Sequence, residues 1–265
     1  MAPSKREREY ARKREAKWDE RRRAKQERRR RIGVIVAIVA IFGLVAGGAL
    51  VAGLTSSDDP APASGAQDEQ AAAGACPPGA TEARDGGEVP DPAVAEDRAW
   101  TASVDLCVDG ATETVGLELV GAEAPQAVAS FVSLAQQGYF DGTQCHRLTT
   151  QGIHVLQCGD PTATGTGGPG YSFGPVENAP ADDVYPAGTL AMARRGGDAA
   201  SMGSQFFLVY EDSTIPSDAA GGYTVFGTVT SGLDTIQAVA DAGTADGAGD
   251  GSPASPVIIE GVETQ

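Results

Sequence analysis

The sequence predicts a mainly β fold: an antiparallel barrel capped by two helices, set behind a membrane segment and a spacer. Three observations carry this. Eight short strand-like runs follow one another from residue 99 onward. Two stretches of helical spacing interrupt them, without regular βαβ alternation, so an antiparallel rather than a parallel sheet is expected. Ahead of residue 99 the composition changes twice, from basic to wholly apolar and then to acidic and Pro/Gly-rich.

Residues 1–31 hold 15 basic and 6 acidic side chains, net +9. They lack Gly and, after Pro3, Pro, and pairs such as Glu9–Lys13 and Glu27–Arg31 suit an exposed helix. Residues 32–54 follow with no charged or polar side chain in 23 positions. As a helix they extend roughly 34 Å, enough for a hydrocarbon core of about 30 Å. A transmembrane helix is therefore expected, with the basic tail in the cytoplasm and the rest of the chain outside. A cleaved signal peptide is the competing reading; the long basic region, the long apolar run and the lack of a clear A-x-A site weigh against it.

Residues 55–98 contain no aromatic residue and are rich in Ala, Pro, Gly and acid. Such a segment buries too little apolar surface to repay chain entropy, so it reads as a flexible linker. The domain expected to follow spans residues 99–265.

Within that domain WTASVDLCV and ATETVGLELV form a hairpin over Asp109-Gly110, a strong turn signal. From Pro125 to Gly138, Val128, Phe131, Val132 and Ala135 fall on one helical face. Strands are expected around QCHRL, IHVLQCG, GTLAMAR, SQFFLVY and YTVFGTV. A second helix is expected at LDTIQAVAD, and PVIIEGV closes the chain as a strand.

All four cysteines, Cys76, Cys107, Cys145 and Cys158, fall on the expected outer side, so disulfides are the leading reading, with three connectivities open. Cys107 lies on the polar face of its strand and is placed to catch the linker at Cys76, which leaves Cys145 with Cys158. Strand alternation opposes this second pair unless a bulge or irregular segment intervenes.

Several motifs now line up in order: DLCVDG, APQAVASFVSLAQQGYFDGTQCHRL, LQCGDP with TGTGG, GTLAMAR, GSQFFLVY and YTVFGTV. Across residues 100–262 this series resembles the cyclophilin-type peptidyl-prolyl isomerases. With the tail, apolar segment and linker, it resembles the membrane-anchored cyclophilins of actinobacteria. The resemblance implies a closed eight-stranded barrel with two helices, an isomerase activity without cofactor or metal, and proline-containing polypeptides as substrates. It implies a role in folding exported proteins at the outer face of the membrane.

Rotation about a peptide bond before proline crosses a barrier of about 18–20 kcal/mol set by amide resonance. A catalyst must hold the ring in an apolar pocket and aim a donor at the amide nitrogen, which gains basicity as the bond twists. The resemblance makes Arg147 that donor, with Gln157 beside it as the second catalytic position. It assigns substrate contacts to Val155, Ala193, Gln205 and Phe207. Alternation agrees independently: Val155 and Gln157 share one face, as do Gln205 and Phe207, leaving Phe206 to the core. Ordinary core packing would also account for Val155 and Phe207 taken alone.

The sequence departs from the family pattern at four places. Two extra residues between Arg147 and Gln157 bring His154 to the position of a usual pocket Phe. Arg194 replaces a usual Asn. Ile215 is the nearest match to a pocket-rim Trp, and Tyr223 stands where many members have His. Loss of the rim Trp puts cyclosporin affinity in doubt.

Other chemistries fit less well. Cys145, His146, His154 and Cys158 resemble a zinc set, but adjacent strand residues point to opposite faces, so no metal site is expected and a Cys–His nucleophile is disfavoured. A catalytically weak cyclophilin fold acting as a binding module or holdase is the alternative function. Residues 32–265 carry 5 basic and 30 acidic side chains, which argues against nucleic acid as a partner of the main domain. Its three arginines beyond residue 98, Arg147, Arg194 and Arg195, all fall in segments that map to the proposed groove.

Overall fold

The structure, a computed structural model, describes residues 75–265. The expected basic tail, the transmembrane helix and the first part of the linker lie outside the described residues. Among the described residues no helix is long and apolar enough to cross a membrane.

Strands β1 (Ala99–Val108) and β2 (Ala111–Val120) form the hairpin predicted from Asp109-Gly110. Both turn residues have positive φ, 52° and 80°, a combination that Asp-Gly accepts and most pairs do not. Helix α1 (Pro125–Gln136) follows, with Val128, Phe131, Val132 and Ala135 buried as its spacing required. Then come β3 (Arg147–Thr149), β4 (Val155–Cys158), β5 (Val184–Tyr185), β6 (Thr189–Met192), β7 (Phe206–Val209), β8 (Ser213–Thr214) and β9 (Val225–Ser231). Helix α2 (Leu233–Ala242), β10 (Asp250–Gly251) and β11 (Val257–Thr264) complete the order.

Nine strands form one antiparallel sheet in the order β10-β3-β4-β7-β6-β9-β2-β1-β11, and β5 pairs with β8 apart from it. This corrects the expectation of a closed eight-stranded barrel: the sheet curls into a half-barrel whose edge strands are β10 and β11. The gap is narrowed by Gly142–Cys145, which exchange backbone hydrogen bonds with Val257 and Ile259 and make an isolated bridge from Gln144 to Ile258. Continuity fails at His146, whose N–H turns away to the Gln157 carbonyl.

The inside of the curl is filled by Leu106, Leu117, Leu119, Phe206, Leu208 and Ile259. Phe131 of α1 meets Phe140, Phe206 and Phe226 at 5.1–5.5 Å, fixing the helix over one end. Strand β7 is buried on both faces. Phe206 and Leu208 serve this core, whereas Phe207 and Val209 belong to a second apolar cluster on the other face.

Residues 75–98 differ from a flexible spacer. The structure joins Cys76 to Cys107, Ala80 N donates to Gly142 O, and Arg84 Nη1 donates to the Tyr139 carbonyl at 2.6 Å. A short 3-10 turn, Pro92–Ala95, buries Ala95 completely, and the Trp100 indole donates to the Ala95 carbonyl. Composition missed this because the strap adds little apolar side chain of its own; its backbone groups, the Arg84 guanidinium and one disulfide hold it.

The structure also joins Cys145 to Cys158. Cys145 precedes β3 rather than lying in it, and that irregular segment is what lets the two side chains meet inside the core.

Candidate functional site

Sheet register brings the polar residues together. Arg147 on β3 stands opposite Gln157 on β4, and Gln157 opposite Phe207 on β7. Arg147 Nη1 donates to Gln157 Oε1 at 3.5 Å, Gln157 Nε2 to Gln205 Oε1 at 2.8 Å, and Gln205 Nε2 to the Gly167 carbonyl at 2.8 Å. On its other side Arg147 donates through Nε and Nη2 to the two oxygens of Asp250, at 2.8 and 2.6 Å. The guanidinium holds the Asp250 carboxyl below the usual carboxylate range, and the same contact raises the arginine. The resulting chain of side chains runs from the sheet edge to the Gly-rich loop.

Beside it Arg147, Ile153, Val155, Gln157, Ala193, Arg194, Phe207, Ile215 and Tyr223 line a pocket of about 160 Å³. Its floor is the second apolar cluster: Val155, Phe207 and Ile215 pack there with Ala191, Val209 and Tyr185. The Phe207 and Tyr223 rings meet edge-on at 5.5 Å. Drug-sized ligands usually occupy about 300–1,000 Å³, so this pocket suits a small apolar ring. A shallower groove of about 700 Å³ adjoins it, sharing Gln157, Ala193 and Arg194 and continuing over Gly165–Ser172, Arg195 and Gln205. The arrangement is a small apolar socket with a fixed multi-donor cation at its rim, continued by a polar groove.

The model of the cyclophilin type peptidyl-prolyl cis-trans isomerase/CLD family matches residues 103–264. The chain belongs to this family. It is 51% identical over 160 residues to the probable peptidyl-prolyl cis-trans isomerase B of Mycobacterium tuberculosis (strain ATCC 25618 / H37Rv), covering 56% of this chain and 50% of the relative. The corresponding protein of Mycobacterium leprae is 50% identical over 158 residues, covering 55% and 52%. The chain thus spans about half the length of these relatives. Peptidyl-prolyl cis-trans isomerase B of Bacillus subtilis is 42% identical over 120 residues, covering 45% of this chain and 78% of that protein. A cyclophilin of Cryptosporidium parvum shares the fold, with a TM-score of 0.52 at 24% identity, covering 63% of this chain and 98% of the other.

In this cyclophilin domain most of the residues singled out from sequence converge. Arg147, Val155, Gln157, Ala193, Arg194, Phe207, Ile215 and Tyr223 share the socket. Gln205 borders the adjoining groove instead. His154 does not join them. Because Val155 and Gln157 face the socket, alternation turns His154 the other way, where its ring meets Tyr210 edge-on, while its backbone N–H donates to Ser213 Oγ. Ile153 occupies the socket position expected of His154. The same alternation, carried two residues back from Val155, reaches it.

Arg194 lines the socket but is fully engaged within the protein. Its guanidinium makes a two-pronged ion pair with Asp218, donates to the carbonyls of Arg195, Gly221 and Gly222, and lies 4.7 Å from the Tyr223 ring centre. Its side chain is fully buried. It braces the socket wall rather than offering free donors to a ligand. Asp218, held far below its usual range chiefly by Arg194, also accepts from Gly197 and Ala220, tying together the two loops that flank the socket. Asp250 and Asp218 were not legible beforehand, as acids are common throughout this domain and only the fold selects these two.

Proposed function

We propose that this domain catalyses cis-trans isomerisation of peptide bonds preceding proline, and that it acts on polypeptides at the outer face of a membrane. One observation carries the catalytic part: Arg147 is fixed by Asp250 and Gln157 at the rim of an apolar socket built from Val155, Phe207, Ile215 and Tyr223. The proline ring enters the socket, and an outward N–H of Arg147 donates to the amide nitrogen as it pyramidalises. The donor is worth most in the twisted state, because only there does the nitrogen carry a free lone pair, so the barrier falls more than binding tightens. The dipeptide Ala-Pro, present with the Cryptosporidium parvum cyclophilin in a second crystal structure, belongs to the same substrate class; that chain is 26% identical with a TM-score of 0.50, covering 62% of this chain and 98% of the other. Location outside the cytoplasm is supported by the charge step around residues 32–54 and by two disulfides, which persist in oxidising compartments.

Arg147→Ala is expected to lower turnover of a prolyl peptide by about 10²–10³-fold, the range for removing one donor aimed at transition-state charge. Circular dichroism of the variant should match the parent. Unchanged turnover would take Arg147 out of this role. Location is tested by alkylating intact cells and then lysed, reduced samples: four thiols already free and reactive before reduction would argue against an oxidising compartment.

A further inference from the structure

We infer that Asp250 is a positioning residue for the reaction, holding the Arg147 guanidinium at the angle from which it meets the substrate amide. This rests on the reading of Arg147 as the donor.

Strand β3 lies between β4 and β10, so Arg147 has a neighbour on each side. Gln157 is directly opposite it on β4. Asp250 pairs with Thr149 on the other side and is therefore diagonal to Arg147, a distance that long side chains on one face readily bridge. The contact to Gln157 is long, at 3.5 Å, and it engages one nitrogen. The contact to Asp250 is bidentate, short and charge-assisted, engaging Nε and Nη2 together. Two parallel bonds fix a planar guanidinium in rotation as well as in position, which a single bond cannot do. Of the two partners, Asp250 sets the orientation.

The pair is also suited to a neutral substrate. Arg147 and Asp250 side chains are 43% and 54% exposed, so the ion pair adds little to folding stability. Its charges largely compensate each other, leaving directed N–H groups rather than a free cation facing the socket. A prolyl amide carries no net charge and needs a directed donor.

The loop bearing Asp250 is itself braced. Thr150 N donates to Gly249 O at 2.8 Å, Ala245 N to Ser252 O at 2.9 Å, and Thr244 Oγ1 to Ala248 O at 2.6 Å. Asp246 accepts from Ala248 N. Strand β10 is only two residues long, and these bonds keep it in register where a bare loop would wander.

The test measures kcat and KM for a prolyl peptide with the full chain and its Asp250→Ala, Asp250→Asn, Arg147→Ala and doubly alanine-substituted variants. Asp250→Ala is expected to lower kcat about 10–100-fold, the scale of a small misplacement of a catalytic group. KM and the thermal midpoint should change little. Asp250→Asn, with one acceptor oxygen in the same place, should recover part of the loss. In the Arg147→Ala background the further change Asp250→Ala should have no effect. Loss of activity in Arg147→Ala with parental kcat in Asp250→Ala would overturn the inference and leave the function standing. A purely structural role is the reading if kcat falls only in step with the thermal midpoint, and that too would overturn it. Parental activity in Arg147→Ala would instead overturn the function on which the inference rests.

Discussion

Ile153 and His154 are adjacent in the connection that leads into β4, and their side chains take opposite directions. Ile153 faces the socket with Val155, whereas His154 turns to Tyr210, whose hydroxyl burial pushes up to about 12 while it donates to the Thr149 carbonyl. Ile153→Ala is therefore expected to raise KM by roughly 10-fold, the scale of lost apolar contact in a specificity pocket. His154→Ala should leave KM unchanged and act, if at all, on the melting temperature. Steady-state kinetics of the two variants decides between them, and the reverse pattern would mean that the socket is lined from the other face. The two extra residues between Arg147 and Gln157 shift a residue count, so the count puts His154 where the fold puts Ile153. Arg194 carries the matching lesson for chemistry. The resemblance put Arg194 among the substrate contacts, and it lines the socket, yet only the positions of Asp218, Gly221 and Gly222 reveal that its donors are already used.

At the scale of elements, long periodic segments were legible and two-residue ones were not. The β1–β2 hairpin and α1 follow from Asp109-Gly110 and from a four-residue apolar stripe. Strands β5, β8 and β10 have no period to read, because alternation needs more than two residues to register. One of them carries Asp250, so the most local element turns out to hold a residue of the site. The Cys145–Cys158 disulfide spans the β3–β4 connection, brackets Arg147 and Gln157, and has a sequence separation of 13. Loop-closure entropy for a loop of that size is worth about 3 kcal/mol. The double substitution Cys145→Ser with Cys158→Ser should lower unfolding free energy by about that amount in urea titrations. A variant as stable as the parent would show that β3 and β4 are held by pairing and core packing alone.

For the whole molecule, net charge −16 divides into a basic first 31 residues and an acidic remainder. Sequence singled out Arg147, Arg194 and Arg195 as cations in an acidic domain, and the structure gives each a carboxylate: Asp250, Asp218 and Asp198 respectively. The groove is thus closer to neutral than the arginine count suggested, in keeping with a substrate recognised by an apolar ring and an amide rather than by charge. The ordered motifs pointed to the residues that line it; the compensation of Arg147 and Arg194 was not legible, because ion-pair partners 103 and 24 residues apart leave no local signal, unlike Asp198, three residues from Arg195. A fold that binds prolyl peptides without turning them over would look much the same from outside. Magnetisation exchange between the cis and trans resonances of a short Ala-Pro peptide separates the two. With catalytic amounts of the full chain, exchange cross-peaks should appear on the sub-second scale, against tens of seconds or more uncatalysed, and should vanish with Arg147→Ala. Shifted peptide resonances without exchange would contradict the account and leave a binding module.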